Sequence, residues 1–212
     1  MKKIFVTGIG TDVGKTIVAA VITEALQADY WKPVQAGLDY TDAGTVKSLL
    51  TNEKSVIHPE AYRLKMPASP HAAAAAEGIS IKIEDIKTPD TSNTLVIEGA
   101  GGLMVPLNEK ELVIDLIQAL DASVIVVIRH YLGSINHSLL TLQALKQRNI
   151  PVMGIVISGT ANEQSEKAIM AFSNYPIIGR IGEEKEFTPA VILHYAEEFQ
   201  ASLLQSSTTT KK

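Results

Sequence analysis

The chain has 212 residues, a formal net charge of −4, 46% hydrophobic residues and no cysteine, values that suit one globular domain with a sizeable core. The acidic balance argues against nonspecific binding to DNA or RNA, and the lack of cysteine excludes disulfides and thiolate metal sites. The sequence shows neither the apolar core of a signal peptide nor a membrane-spanning apolar run, so we expect a cytoplasmic protein without a nucleic-acid or membrane partner.

Short apolar runs alternate along the chain with longer amphipathic runs. Strands are predicted at residues 3–7, 29–35, 93–99, 123–128, 152–158 and 176–181. Helices are predicted at residues 16–27, 41–50, 69–78, 136–149, 163–173 and 189–204. Thr41 and Ser69 are expected to cap the second and third helices, because hydroxyl side chains are preferred at that position.

Continuous apolar strands that alternate with helices favour a mostly parallel sheet with helices on both faces. We therefore predict a single α/β domain of the P-loop fold over residues 1–205. Residues 206–212 have little to bury and are expected to form a disordered tail. Ligands of such folds bind beyond the carboxyl ends of the strands, so functional residues are expected at that edge.

A glycine-rich stretch, "GIGTDVGKT", joins the first predicted strand to the first predicted helix. The usual phosphate-binding loop has four residues between its first glycine and Gly-Lys-Ser/Thr, whereas five residues separate Gly8 from Gly14. Backbone N–H groups at such a loop and helix start bind an anion. Lys15 would reach the outer phosphates and Thr16 would hold Mg²⁺. The pattern therefore indicates a longer phosphate loop rather than a glycine-rich turn with a surface lysine.

Three further charged residues are predicted at the same edge of the sheet. Glu98 follows the apolar run of "LVIEGAGG", Lys32 ends the second strand, and Asp42 opens the next helix. Taken singly, Glu98 and Lys32 also fit solvated side chains, and Asp42 fits an ordinary helix-start carboxylate. Mg²⁺ prefers oxygen ligands, and P-loop enzymes place a carboxylate at a strand end as a second metal contact. Together with Lys15, these residues suit phosphoryl transfer to an anionic acceptor.

Six blocks in this order give the chain a resemblance to the dethiobiotin synthetases: "FVTGIGTDVGKT", "WKPVQAG", "TDAG", "SPHAAAAAEG", "VIEGAGGLMVPL" and "LGSINHSLLT". The blocks extend from Phe5 to Thr141, and the carboxyl third is similar only in outline. The resemblance implies an ATP-dependent cyclo-ligase that joins 7,8-diaminononanoate and CO₂ into dethiobiotin. The implied reaction passes through a carbamate and a carbamic-phosphoric anhydride.

The resemblance also implies Mg²⁺ as cofactor, ATP as co-substrate and a homodimer with the site at its interface. It places ATP contacts at Asp12, Val13, Gly14, Lys15, Thr16, Ile17, Asp42, Glu98, Gly99, Ala100 and Gly101. It places substrate contacts at Thr11, Lys32, Ala36, Gly101, Gly133, Ser134 and Asn136. Thr16, Asp42 and Glu98 are the implied metal ligands, and Lys32 and Lys15 the implied catalytic residues. In the family, the loop at residues 133–137 comes from the second subunit.

The chain departs from the family pattern at four places, one of which is the short stretch from Lys32 to Asp42. Asp12 stands where the family usually has Glu, and Ala36 stands where it has Ser or Thr. Ser158 and Gly159 replace a common Asn-Asp pair that recognises the purine. With such short side chains there, we expect weak discrimination among nucleoside triphosphates.

Two other classes of P-loop protein share parts of this pattern. Switch ATPases of the partition and division-site class carry an early lysine in their loop, at the position of Gly10, and need a basic or amphipathic surface that this sequence does not show. Amidotransferase-linked synthetases need a nucleophilic cysteine, and the chain has none. The switch ATPases remain the alternative.

Overall fold

The computed structural model describes residues 2–206 and places nine strands among them. The strands are β1 (Lys3–Gly8), β2 (Asp29–Trp31), β3 (Val34–Ala36), β4 (Ile57–His58), β5 (Tyr62–Leu64), β6 (Leu95–Gly102), β7 (Ser123–Arg129), β8 (Val152–Ser158) and β9 (Ile177–Ile181). The α-helices of the same residues are α1 (Lys15–Leu26), α2 (Asp42–Leu49), α3 (Pro70–Ala76), α4 (Val113–Leu120), α5 (Ser134–Gln147), α6 (Glu163–Ser173) and α7 (Pro189–Ser206).

Seven of the strands form one parallel sheet in the order β4-β2-β6-β1-β7-β8-β9. Strand β1 is central, with Phe5 opposite Ile97 of β6 and Val124 of β7. Because all the carboxyl ends meet at one edge, the loops that follow β1, β2, β6, β7 and β8 lie close together there.

Each face of the sheet packs on its own apolar core. One core contains side chains of α3, α4, α5 and α6, and the other contains side chains of α1, α2 and α7. Successive residues of a strand point to opposite faces, so Phe5 lies in the first core and Val6 in the second. The predicted α/β class, with a parallel sheet covered on both faces, is confirmed.

The predicted strand at residues 29–35 is wrong, because it is two strands in different sheets. Strand β2 ends at Trp31, and β3 pairs with β5 in a separate two-stranded parallel sheet. Pro33 lies between them, and proline has no N–H to donate to a ladder. Because the chain leaves the main sheet at Pro33, Ala36 lies in the small sheet, beside the carboxyl edge of the main sheet. Helix α4 and the short strands β4 and β5 were not predicted from the sequence.

The predicted helix starts are confirmed in part. The Thr41 side chain caps α2 and accepts a hydrogen bond from the Gly44 N–H at 3.1 Å. Ser69 precedes α3 but makes no capping hydrogen bond through its side chain. Helix α7 ends at Ser206, so the rest of the predicted tail, residues 207–212, lies outside the described residues. No helix within residues 2–206 has the length and apolar character needed to span a membrane.

Candidate functional site

The glycine-rich loop between β1 and α1 has a backbone that suits anion binding. Gly14 has φ of 92° and Asp12 has φ of 57°, both in the left-handed region. A Cβ added to Gly14 would lie 2.4 Å from Ser158 Oγ, so space as well as conformation requires glycine there. The buried Lys15 side chain folds back over the loop, where its Nζ donates a hydrogen bond to the Gly10 carbonyl oxygen at 2.8 Å.

A cavity of about 910 Å³ lies over this loop at the carboxyl edge of the sheet. The sequence-predicted residues that line it are Thr11, Asp12, Gly14, Lys15, Thr16, Ile17, Lys32, Ala36, Asp42, Glu98, Ala100 and Gly101. Two of the predicted ATP contacts lie outside it. Val13 is buried in the core against Gly8, and Gly99 packs on the Phe5 ring. The structure therefore brings most of the predicted site together.

Thr16, Asp42, Glu98 and Lys32 form one connected cluster on the cavity floor. Thr16 Oγ1 lies 2.9 Å from Glu98 Oε1 and 3.0 Å from Asp42 Oδ1. Lys32 Nζ donates to Glu98 Oε1 at 3.1 Å and makes an ion pair with Asp42 Oδ2. The Tyr30 hydroxyl donates to Glu98 Oε2 at 2.8 Å. Glu98 is 1% exposed and Lys32 5% exposed, so solvent screens these charges little.

Burial and charge shift the pKa values of three groups in this cluster. Burial lowers the pKa of Lys15, and the carboxylate of Glu98 opposes that effect. Burial also acts to lower the pKa of Lys32, but the carboxylates of Glu98 and Asp42 outweigh it and raise that pKa above its usual value. Burial and the charge of Glu98 raise the pKa of Tyr30 well above its usual value. Lys32 is therefore an ammonium ion and Tyr30 a hydrogen-bond donor at neutral pH.

Three of the predicted substrate contacts lie in a different place. Gly133, Ser134 and Asn136 line a separate cavity of about 810 Å³ at the start of α5. Leu132, in the loop before that helix, is fully exposed. These residues do not line the phosphate-loop cavity of the same chain, so their predicted contact with substrate stays a prediction.

Several residues of the site were not predicted from the sequence. Tyr30 lies two residues before Lys32, and alternation along an extended chain would have placed both on one face. Gln35 had no such signal. Its Oε1 accepts a hydrogen bond from the Asp42 N–H at 3.2 Å, and its Nε2 donates to the Gly37 carbonyl oxygen at 3.0 Å. Gln35 thereby fixes the short loop that delivers Asp42.

Arg129, at the end of β7, also lines the phosphate-loop cavity and was not predicted. Its Nη2 donates to Glu183 Oε1 at 2.6 Å, and both side chains lie against Gly159. The neighbouring Ser158 packs against Gly14. The expected weak discrimination among nucleoside triphosphates stays a prediction.

Solved structures that share this fold are P-loop ATPases of low sequence identity. The cell division ATPase MinD of Pyrococcus furiosus superposes with a TM-score of 0.64 at 14% identity, over 97% of this chain and 99% of that one. A ParA family ATPase of Chlorobium tepidum gives a TM-score of 0.58 at 11% identity, over 98% of this chain and 100% of that one. These likenesses establish the P-loop fold alone.

The sequence comparisons are more specific. The AAA domain family model matches residues 2–191. The chain is 55% identical over 197 residues to the ATP-dependent dethiobiotin synthetase BioD of Cytophaga hutchinsonii, covering 92% of this chain and 96% of that protein. It is 52% identical over 205 residues to that of Christiangramia forsetii, covering 96% and 99%. The synthetase of Chlamydia pneumoniae is 42% identical over 201 residues, covering 94% and 90%. The chain therefore belongs to the ATP-dependent dethiobiotin synthetase family of ligases.

Proposed function

We propose that the chain carboxylates 7,8-diaminononanoate with CO₂ and closes the ureido ring of dethiobiotin, using ATP and Mg²⁺. The named activity of relatives that are 42–55% identical supports the overall reaction. The observation that carries the proposal is the cluster of Thr16, Asp42 and the buried Glu98 and Lys32 beside the phosphate loop. This cluster suits a reaction in which an anionic acceptor approaches a nucleotide phosphate.

The proposed reaction has two bond-forming stages after CO₂ is captured. One amine of the substrate adds to CO₂ and loses a proton to give a carbamate. A carbamate oxygen then bonds to the γ-phosphorus of ATP as the bond to ADP breaks, which gives a carbamic-phosphoric anhydride. The second amine attacks the carbonyl carbon, phosphate leaves with the C–O bonding pair, and the amine proton is released. Ring closure between neighbouring amines gains from proximity.

The phosphate loop is the proposed binding site for the triphosphate. Its backbone N–H groups and the start of α1 supply hydrogen-bond donors and the positive end of a helix dipole. Lys15 Nζ, which contacts the Gly10 carbonyl oxygen in this structure, would turn to the phosphates when they are bound. Lys32 lies across the same cavity and would stabilise the negative charge of the acceptor.

The donor set of Thr16, Asp42 and Glu98 fits Mg²⁺. The Thr16 hydroxyl lies within 3.0 Å of both carboxylates, yet its single proton can satisfy only one of them. A cation at this place would satisfy all three oxygens. The described residues contain no cluster of three or more His, Cys, Asp or Glu side chains suited to a metal. One hydroxyl and two carboxylates suffice for Mg²⁺, because it keeps several waters. When bound, it would neutralise phosphate charge.

A homodimer would complete the proposed site. The start of α5 presents the backbone N–H groups of a 14-residue helix, and a helix N-terminus suits a carboxylate. Gly133, Ser134 and Asn136 lie there, away from the phosphate-loop cavity of their own protomer. We propose that they bind the carboxylate of the diamine held by the partner subunit.

Phosphate release measured with each component omitted in turn tests the proposed function. The carbamate nucleophile exists only when the diamine and bicarbonate are both present, so ATP turnover should be near background without either one. Mass spectrometry should detect a cyclic urea product in the complete mixture. DNA and lipid vesicles should have no effect. Hydrolysis that is indifferent to the diamine, or that DNA or vesicles stimulate, would overturn the proposal in favour of a switch ATPase.

A further inference from the structure

The two carboxylates of the proposed metal site already have a cation bound to them. Lys32 Nζ contacts Glu98 Oε1 at 3.1 Å and is paired with Asp42 Oδ2. Its side chain is 6% exposed, that of Glu98 1% and that of Asp42 30%. Among the described residues, no other lysine or arginine makes an ion pair with either carboxylate. Lys32 is therefore the ammonium ion that offsets part of the negative charge of these two carboxylates.

We propose that Lys32 is a resident counter-cation of the metal site, which a divalent cation displaces from the carboxylates when it binds. This inference rests on the proposed function, because it assumes that Thr16, Asp42 and Glu98 hold Mg²⁺. It adds a second role for Lys32, which the family resemblance assigns only to the acceptor side. In this role Lys32 competes with the metal for its ligands.

Two contacts make the two cations compete for one atom. The Tyr30 hydroxyl holds Glu98 Oε2 at 2.8 Å from the buried side of the sheet. Glu98 Oε1 is then the oxygen that remains for the cavity, and both Thr16 Oγ1 and Lys32 Nζ are within 3.1 Å of it. Because Tyr30 is fully buried, Glu98 has little freedom to offer one oxygen to each cation.

Electrostatic repulsion favours displacement of the Lys32 ammonium when a divalent cation binds the same carboxylates. Buried carboxylates without a positive partner are costly, so Lys32 stabilises the protein before metal arrives. A divalent cation placed on the same oxygens would meet the ammonium at close range in a poorly screened site, and like charges there repel strongly. Displacement would free the ammonium to face the cavity, where the anionic acceptor and the phosphates are bound. The metal would thereby release Lys32 for its role in the reaction.

Neutral substitutions of Lys32 test the inference through metal binding alone. Lys32→Met and Lys32→Gln keep most of the length of the side chain and remove its charge. We expect Mn²⁺ without nucleotide to bind both variants at least about tenfold more tightly than the unaltered protein, as measured by electron paramagnetic resonance at pH 8. Lys47→Met is the matched control, because Lys47 is exposed on α2, the helix that begins with Asp42. Its Mn²⁺ affinity should equal that of the unaltered protein.

Thermal melting supplies a second readout if one of the variants is too unstable for titration. Mn²⁺ alone should raise the melting temperature of the Lys32 variants by more than it raises that of the unaltered protein. The counter-cation role would be overturned if the Lys32 variants bound Mn²⁺ no more tightly than the unaltered protein. It would also be overturned if Lys47→Met gained as much Mn²⁺ affinity as the Lys32 variants. Titration of the unaltered protein with Mn²⁺ and ATP together separates the two hypotheses. Absence of Mn²⁺ binding beyond that of the same ATP without protein would overturn the proposed metal site itself.

Discussion

A buried glutamate lies near each end of helix α1, and different kinds of partner hold the two side chains. Near its carboxyl end, Glu24 is 6% exposed and accepts hydrogen bonds from the N–H and hydroxyl of Thr51 and from the amide of Asn52, at 2.6–2.9 Å. Near its amino end, Glu98 of β6 is 1% exposed and is held by Thr16, Tyr30 and Lys32. One loop supplies every donor to Glu24, whereas the donors to Glu98 come from separate parts of the chain.

The difference teaches that burial of a carboxylate does not by itself mark a site. The donors of Glu24 are neutral and are not shared with another carboxylate, so the residue ties the loop after α2 to α1. Glu98 shares the Thr16 hydroxyl and the Lys32 ammonium with Asp42, and it faces a cavity. The chemistry of the partners distinguishes a structural carboxylate from a functional one.

The largest expected effect comes from removing the charge of Glu98. Glu98→Gln should lower kcat on the order of 10³-fold, because preorganised charge at the reacting centre is lost, and should weaken Mn²⁺ binding. The melting temperature should also fall, because the buried Lys32 ammonium and Tyr30 hydroxyl lose a charged acceptor. Glu24→Gln is the matched control and should leave kcat unchanged. Similar losses of kcat in both variants would remove the distinction between the two glutamates.

Near the amino end of α1, substitutions of Lys15 and Lys32 should have different effects on ATP binding and turnover. Lys15→Ala should weaken ATP binding and turnover together, because Lys15 belongs to the phosphate loop. Lys32→Ala should leave ATP affinity nearly intact and lower kcat on the order of 10²–10³-fold, because Lys32 contacts carboxylates and not the loop. Steady-state kinetics and ATP titration measure both. Equal loss of ATP affinity in the two variants would show that Lys32 serves the nucleotide.

The smallest effect is expected near the carboxyl end of α1, where a substitution of Glu24 should change the stability of the fold. Glu24→Gln should lower the free energy of unfolding by about 1–3 kcal/mol, because buried donors lose a charged acceptor. Burial acts to raise the pKa of Glu24, but its hydrogen bonds to Thr51 and Asn52 together outweigh burial and lower that pKa below its usual value. A carboxyl with a lowered folded-state pKa stabilises fully above its unfolded pKa, about 4.3, and loses that stabilisation as the pH falls through the folded value.

The destabilisation caused by Glu24→Gln should therefore be constant near neutral pH and should shrink on acidification below about pH 4.3. Urea denaturation of the unaltered protein and of Glu24→Gln between pH 3 and 7 measures this difference in the free energy of unfolding. A difference that stays the same across that range would show that the charge of Glu24 contributes nothing to the fold.

Local sequence predicted the parts of the fold whose signals lie within a few residues. Apolar runs predicted the six strands of the main sheet other than β4, and the Thr41 cap predicted the start of α2. Helix α4 was missed, although its apolar spacing is helical. Strand β3 was merged with β2, because Pro33 lacks an N–H and interrupts strand hydrogen bonding without making the neighbouring residues less apolar.

By itself, the sequence determined the α/β class, the phosphate loop and most of the residues that line the cavity. These follow from local periodicity, from glycine spacing and from the rule that parallel strands end at one edge. The tertiary structure alone decided that Lys32 binds both Asp42 and Glu98, that Tyr30 anchors Glu98 and that Gln35 positions Asp42. Glu98 lies 66 residues from Lys32 along the chain, and no local pattern specifies which oxygen a distant side chain will meet, because that depends on how the strands are ordered and how the loops pack.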